Sequence, residues 1–167
     1  LTHAYAYGKS TLAVKTLNKN FNLEITDYVT VNFHGFSRII DYIGGVEVEV
    51  DQKEKDHLNS YVIPKLVKAG FKCDLIDRTG MQKLTGTQAL CYSRIRKIDG
   101  DVERGNRQKE VLAAMFARVK DMNVAKLPKI AEMVFSECQT SLSSSDIMSM
   151  GLWAISSKPE MENMSIP

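Results

Sequence analysis

No run of 18 apolar residues occurs anywhere in the 167-residue sequence, so no membrane span is expected within it. The residue types that build most catalytic centres are also sparse. Three cysteines (Cys73, Cys91, Cys138) and three histidines (His3, His34, His57) are scattered along the chain. None forms a CxxC pair or stands at zinc-ligand spacing, so neither a disulfide framework nor a zinc site is expected, and the cysteines read as buried free thiols. No GxSxG stretch accompanies the histidines, which argues against a nucleophilic triad. The net charge is only +2, with acidic and basic residues interleaved. A nucleic-acid partner is therefore not expected, since such surfaces are broadly basic and carry stacking aromatics. Repeats, low-complexity linkers and composition shifts are absent. A hydrophobic content of 44% and a charged content of 25% fit a single globular domain over residues 1–167.

Two apparent motifs fail on their chemistry. Gly8-Lys9-Ser10-Thr11 resembles the end of a phosphate-binding P-loop, but the glycine required five residues earlier is His3. Asp99, Asp101, Glu103 and Glu110 fall at calcium-loop positions, yet the obligatory glycine of the sixth position is Arg104, and a guanidinium inside a calcium cage is electrostatically wrong.

Periodicity gives the elements. Ser10–Phe21 carries an apolar helical stripe behind a serine cap. Tyr28–Phe33 alternates as a strand, Phe36–Ile43 has helical spacing and ends at Gly44-Gly45, and Val46–Val50 alternates strictly. Strand, helix, strand predicts an α/β fold. Residues 51–85 read as a polar excursion interrupted by Pro64, with a short strand near Phe71–Ile76. A short helix over Gly86–Ser93 is followed by helices over Asn106–Met122, Ala125–Cys138 and from Ser144 to about Ser156.

The most informative stretch runs from Ala89 to Gln108. Four of the seven arginines (Arg94, Arg96, Arg104, Arg107) lie in the 15 residues ending at Gln108, where five cations face Asp99, Asp101 and Glu103. The guanidinium fork matches phosphate oxygens bidentately and keeps its charge at every working pH. Arg94 and Arg96 share a face if extended, and Arg104 and Gln108 share one if helical. Two basic arms across a turn can hold a phosphate or pyrophosphate, whereas the plainer reading is a solvated loop of surface ion pairs.

Taken together, Ala89-Leu90, Tyr92, Arg94-x-Arg96, Gly100-Asp101, Arg104 and Arg107-Gln108 resemble the signature of the LytR–CpsA–Psr family. Ala4–Gly8, Asp27–Phe36, Ile40–Val48 and Leu84–Gly86 agree with it in order. The resemblance implies an α/β fold, a three-layer α-β-α sandwich with a central mixed sheet. The family's N-terminal strands would precede Leu1, as would the N-terminal helix that tethers such proteins to the extracytoplasmic face of the cell membrane. It implies a phosphotransferase moving anionic glycopolymers (teichoic acid or capsular polysaccharide type) from a polyprenyl-pyrophosphate carrier to peptidoglycan. The alternative is a non-catalytic polyprenyl-phosphate-binding or regulatory module of transcriptional-attenuator type. By resemblance, Arg94, Arg96 and Arg104 are the catalytic candidates. They would bind the pyrophosphate with Arg107 and Gln108, and Asp101 would orient an arginine. Magnesium would be held by acidic residues upstream, with no metal ligand in this chain, so the chain alone is expected to be catalytically silent. Phe33, Phe36 and Ile40 are candidates for an apolar lipid channel. An unpaired sheet edge would favour a homodimer.

Overall fold

The computed structural model describes residues 2–160. Helix α1 (Thr2–Phe21) is broken at Gly8 and Lys9, whose backbones leave the helical region. The regular helix therefore restarts at Ser10, whose Oγ is engaged across the fold, sharing a hydrogen bond with Thr30 Oγ1 at 2.9 Å. Strand β1 (Val29–Val31) leads into α2 (Phe33–Tyr42), which is capped by Asn32 Oδ1 accepting from the Gly35 N–H at 2.8 Å. Strand β2 (Val46–Val50) buries its three valines and exposes its two glutamates, as strict alternation requires.

Residues 52–68 differ from the expected polar excursion. They form α3 (Gln52–His57), a π-helical turn (Leu58–Val62) and α4 (Ile63–Lys68) in succession. Asp51 and Glu54 make a reciprocal capping box at the start of α3. Pro64 falls in the first turn of α4, where its missing N–H costs nothing. No strand forms over Phe71–Ile76. The Asn59 side chain bonds both the N–H and the C=O of Ile76, at 2.8 and 2.9 Å, and Phe71 stacks on His34. Side chains thus hold this segment where a strand would need a neighbouring backbone.

The strand of this region is β3 (Gly80–Leu84), antiparallel to β2 with Val46 opposite Leu84 and Val50 opposite Gly80. The remaining elements are α5 (Gly86–Tyr92), α6 (Asp101–Lys120), α7 (Leu127–Glu137), β4 (Cys138–Thr140) and α8 (Ser144–Ser157). Strand β4 pairs antiparallel with β1. The chain is mixed α/β, with each described strand taking an antiparallel partner from distant sequence rather than a parallel one across α2. The core joins α2, β2, the 52–68 helices, α5 and Val111 of α6, and includes Ile40, Val46, Val48, Val50, Leu58 and Leu90.

Two glycines set the position of the arginine segment. A Cβ on Gly86 would lie 1.9 Å from the Ser37 carbonyl oxygen, so only glycine lets the start of α5 meet α2 this closely. The Gly86 N–H also donates to Asp41 Oδ1 at 2.6 Å. Gly100 has φ +96°, a left-handed turn that redirects the chain into α6.

Candidate functional site

Helix α5 buries Ala89, Leu90, Cys91 and Tyr92, which fixes the point from which residues 93–100 depart. This segment turns instead of extending, with the Arg94 N–H bonding the Cys91 carbonyl and the Ile95 N–H that of Tyr92. Ile95 is fully buried while Arg94 and Arg96 on either side are exposed, so the alternation still places the two guanidinium groups outward.

Asp101 begins α6, where the helix N-terminus favours a carboxylate. Its two oxygens hold two arginines: Arg96 Nη2 donates to Oδ2 at 2.7 Å, and Arg104 Nη2 lies 3.0 Å from Oδ1. The arginines drawn together are thus Arg96 and Arg104, clasped by one carboxylate, with Arg94 nearby in sequence. Arg94 packs over the Phe33 ring, 4.4 Å from its centroid. Gln108, one turn beyond Arg104, donates weakly to the Ser93 carbonyl at 3.4 Å. Arg94, Arg96 and Gln108 are exposed, and Arg104 is half-buried.

Arg107 corrects the sequence reading. It is buried between α3 and the 93–100 segment and does not face Arg96 and Arg104. Its Nε donates to Glu54 Oε1 at 2.6 Å, and both Nη atoms donate to Asp99. Burial opposes its charge, but the hydrogen bonds to Asp99 and Glu54 outweigh that, and its pKa stands above the ordinary value. The same contact with Arg107 holds Asp99 below the usual carboxylate range. Each of the three nitrogens of this buried guanidinium thus donates to a carboxylate, which makes it an anchor of the segment. Tyr92 has a related task. Its hydroxyl donates to Glu110 Oε2 at 2.7 Å, tying α5 to α6, and burial followed by that bond raises its pKa.

Beside the arginines lies an open cleft of about 250 Å³, lined mainly by apolar groups of Val31, Phe33, Phe36, Leu90 and Leu112, with Gln108 at its edge. Phe33 and Phe36, two of the three channel candidates, line this cleft. Ile40 does not: it has no exposed surface and belongs to the core against β2 and α5. Its helical spacing from Phe36 gave the same apolar signal for a different environment.

The carboxylates near the arginines do not fit a magnesium ion. Asp99 is held by Arg107, Asp101 by Arg96 and Arg104, and Glu103 accepts from Asn106. Among the described residues no group of three or more His, Cys, Asp or Glu side chains is placed to hold a metal. No helix of the described residues is long and apolar enough to cross a membrane. Sequence reasoning missed Glu54, although its signal, an Asp51-x-x-Glu54 capping box, is present in the sequence.

The chain is similar to polyisoprenyl-teichoic acid–peptidoglycan teichoic acid transferase TagV of Bacillus subtilis (strain 168), with 35% identity over 144 residues, covering 83% of this chain and 34% of TagV. To TagT of the same organism it is 33% identical over 122 residues, covering 73% of this chain and 35% of TagT. It thus spans about a third of the length of these curated relatives. The crystal structure of B. subtilis TagT aligns with a TM-score of 0.71 at 30% identity, over 93% of this chain and 54% of that chain. TagT bound to LIIa-WTA aligns with a TM-score of 0.75 at 29% identity, over 93% of this chain and 55% of that chain. The LytR_cpsA_psr family matches across residues 1–167, and to that family this chain belongs.

Proposed function

We propose that the protein takes part in phosphotransfer that attaches an anionic cell-wall glycopolymer, of teichoic-acid type, from a polyprenyl-pyrophosphate carrier to peptidoglycan at the extracytoplasmic face of the membrane. The observation that carries this reading is the Asp101 clasp on Arg96 and Arg104 beside an apolar cleft. A lipid pyrophosphate is an anion joined to a hydrocarbon, and the site offers one surface for each part. Arg94, Arg96, Arg104 and Gln108 take the pyrophosphate oxygens; Phe33 and Phe36 take the first isoprene units. Fixed guanidinium groups neutralise the charge of the two phosphates before reaction, and positioning with charge neutralisation is the main requirement of phosphoryl transfer. Asp101 keeps two of those groups oriented, which lowers the conformational entropy lost on binding. The similarity to TagV and TagT supports the choice of glycopolymer and acceptor. The carboxylates beside the arginines are already engaged and are not assigned to magnesium.

The test is calorimetric binding of farnesyl pyrophosphate and of inorganic pyrophosphate. Arg104→Ala should weaken both by about tenfold or more, the scale of a charged hydrogen bond. Phe33→Ala should weaken only the farnesyl ligand. Equal affinity of the parent protein for farnesyl and inorganic pyrophosphate would remove the lipid assignment. Unchanged pyrophosphate affinity in Arg104→Ala would remove the site.

A further inference from the structure

A second cleft of about 200 Å³ lies between the 52–68 helices and the 93–100 segment and shares Arg94 and Arg96 with the arginine site. Its polar lining is His57, Tyr61, Lys65, Arg94, Arg96 and Lys97: four cations and no carboxylate. The lysines converge on one aromatic ring. Lys65 Nζ is 4.2 Å and Lys97 Nζ 4.3 Å from the Tyr61 centroid, and Lys65 also donates to the Tyr61 hydroxyl at 2.6 Å. Among the described residues neither lysine forms an ion pair with a carboxylate. These hydrogen-bonding lysines hold the Tyr61 hydroxyl below its ordinary pKa, and burial followed by Lys97 lowers that of His57, which stacks on Tyr61.

The backbone contributes to this convergence. His57, Tyr61 and Lys65 are four residues apart, and in a regular α-helix each such step rotates the side chain by about 40°. A π-helical turn over Leu58–Val62 interrupts that rotation, and the three side chains line one cleft. Single π turns inside α-helices occur frequently at functional sites. Arg96 is paired with Asp101, but among the described residues Lys65, Arg94 and Lys97 form no ion pair with a carboxylate; these like charges repel one another, so their arrangement favours an anion.

We propose that this cleft is a second anion subsite, which holds a phosphodiester group of the glycopolymer chain next to the carrier pyrophosphate. The inference rests on the function proposed above and extends it. Arg94 and Arg96 line the basic cleft, and Arg94 also packs on Phe33 of the apolar one. Arg94 thus stands between the apolar cleft and the basic one, and Arg96 joins the basic cleft to the clasp, so the order is apolar cleft, arginines, basic cleft. A lipid-linked anionic polymer has the same order: hydrocarbon, pyrophosphate, then sugar and phosphodiester repeats. Lys65 and Lys97 supply mobile point charges suited to a repeating, conformationally variable chain, whereas the arginines supply fixed forks suited to one pyrophosphate.

The experiment compares three probes on the protein and its variants: inorganic pyrophosphate, a soluble glycerol-phosphate oligomer, and phosphatidylglycerol vesicles. Lys65 and Lys97 are exposed, so the double variant Lys65→Ala/Lys97→Ala should fold, which circular dichroism checks. Its affinity for the oligomer should fall about tenfold or more while that for pyrophosphate stays within about threefold, and Lys65→Arg/Lys97→Arg should keep most oligomer binding. Unchanged oligomer affinity in the alanine variant overturns the subsite. So does an equal loss for pyrophosphate, which would make the lysines part of one general field. Lysine-dependent binding to the vesicles without binding to the oligomer also overturns it, in favour of a membrane-facing patch. Failure of the pyrophosphate site itself is seen separately, as pyrophosphate affinity that does not respond to Arg104→Ala.

Discussion

Arg104 and Arg107 stand three residues apart on α6 and should respond to substitution in opposite ways. The Arg107 and Glu54 side chains are only 7% and 10% exposed, whereas those of Arg104 and Asp101 are 36% and 54% exposed. Removing the guanidinium in Arg107→Ala leaves the Glu54 carboxylate buried and unpaired. Breaking a buried pair from one side costs about 3–5 kcal/mol. For a domain of this size each kcal/mol shifts the melting temperature by about 2–4 °C, so a fall of roughly 6–20 °C is expected. Arg104→Ala breaks only an exposed pair and should change stability by no more than about 1 kcal/mol. Urea and thermal unfolding followed by far-UV circular dichroism give both values, and pyrophosphate titration of the folded proteins gives the second axis. The double variant Arg107→Met/Glu54→Gln neutralises the stranded charge and keeps an amide at the capping box, so it should recover much of the lost stability. The reasoning fails if Arg107→Ala loses less than about 1 kcal/mol while its pyrophosphate affinity collapses. Arg107 would then face the ligand, and the carboxylate contacts would be secondary.

Two further outcomes follow from the packing and the charges. Gly86→Ala places a methyl group 1.9 Å from the Ser37 carbonyl oxygen, so α5 must move away from α2; the expected loss, at least about 1–3 kcal/mol as for an overpacked core, is read from urea unfolding. Asp99 has its pKa held below the ordinary carboxylate value by Arg107. Its contribution is therefore fully present above the unfolded-state value of about 3.9 and is lost as pH falls through the lower folded value. Asp99→Asn should be less stable than the parent near neutrality and should show a shallower acid limb below about pH 4; parallel acid limbs would contradict the pairing.

The fold was legible where one face of an element meets the core and the other meets water. The Val46–Val50 alternation and the Phe36–Ile43 stripe each appear where their periodicity places them. The 52–68 helices were hidden because α3 is short and almost wholly polar: its one deeply buried residue is Glu54, whose burial depends on an arginine 53 positions away. Local patterning carries no trace of such a partner, and only the capping box marked the start. Strand β3 was missed for a similar reason. Its sequence Gly-Met-Gln-Lys-Leu has no β-branched residue, and it is held by pairing to β2 and by the buried Gln82 amide donating to the Arg78 carbonyl. Conversely, Phe71–Ile76 has suitable residues, but the Asn59 side chain takes both backbone groups of Ile76.

The site shows the same division between local and distant information. Arginine density located the segment that holds the Arg96–Asp101–Arg104 clasp, and Gly100 marked a turn, although α6 begins at Asp101 instead of the expected Asn106. Density could not separate the arginines by role, because helical position alone puts Arg104 and Arg107 only about 60° apart around α6, taking 3.6 residues per turn. What separates them is Glu54, delivered by a helix that the sequence pattern concealed. Tyr61 and Lys65 come from that same hidden region, so the basic cleft could not be assembled from the arginine motif. The cleft-facing and core-facing aromatic and aliphatic residues of α2 divide likewise. Phe33 and Phe36 border open space because Arg94, Gln108 and Leu112 stop short of filling it, while Ile40, one turn on from Phe36, meets the closed packing of β2 and α5. One apolar stripe thus serves a cleft at its beginning and a core farther along, and the boundary is set by neighbours that approach from α5 and α6.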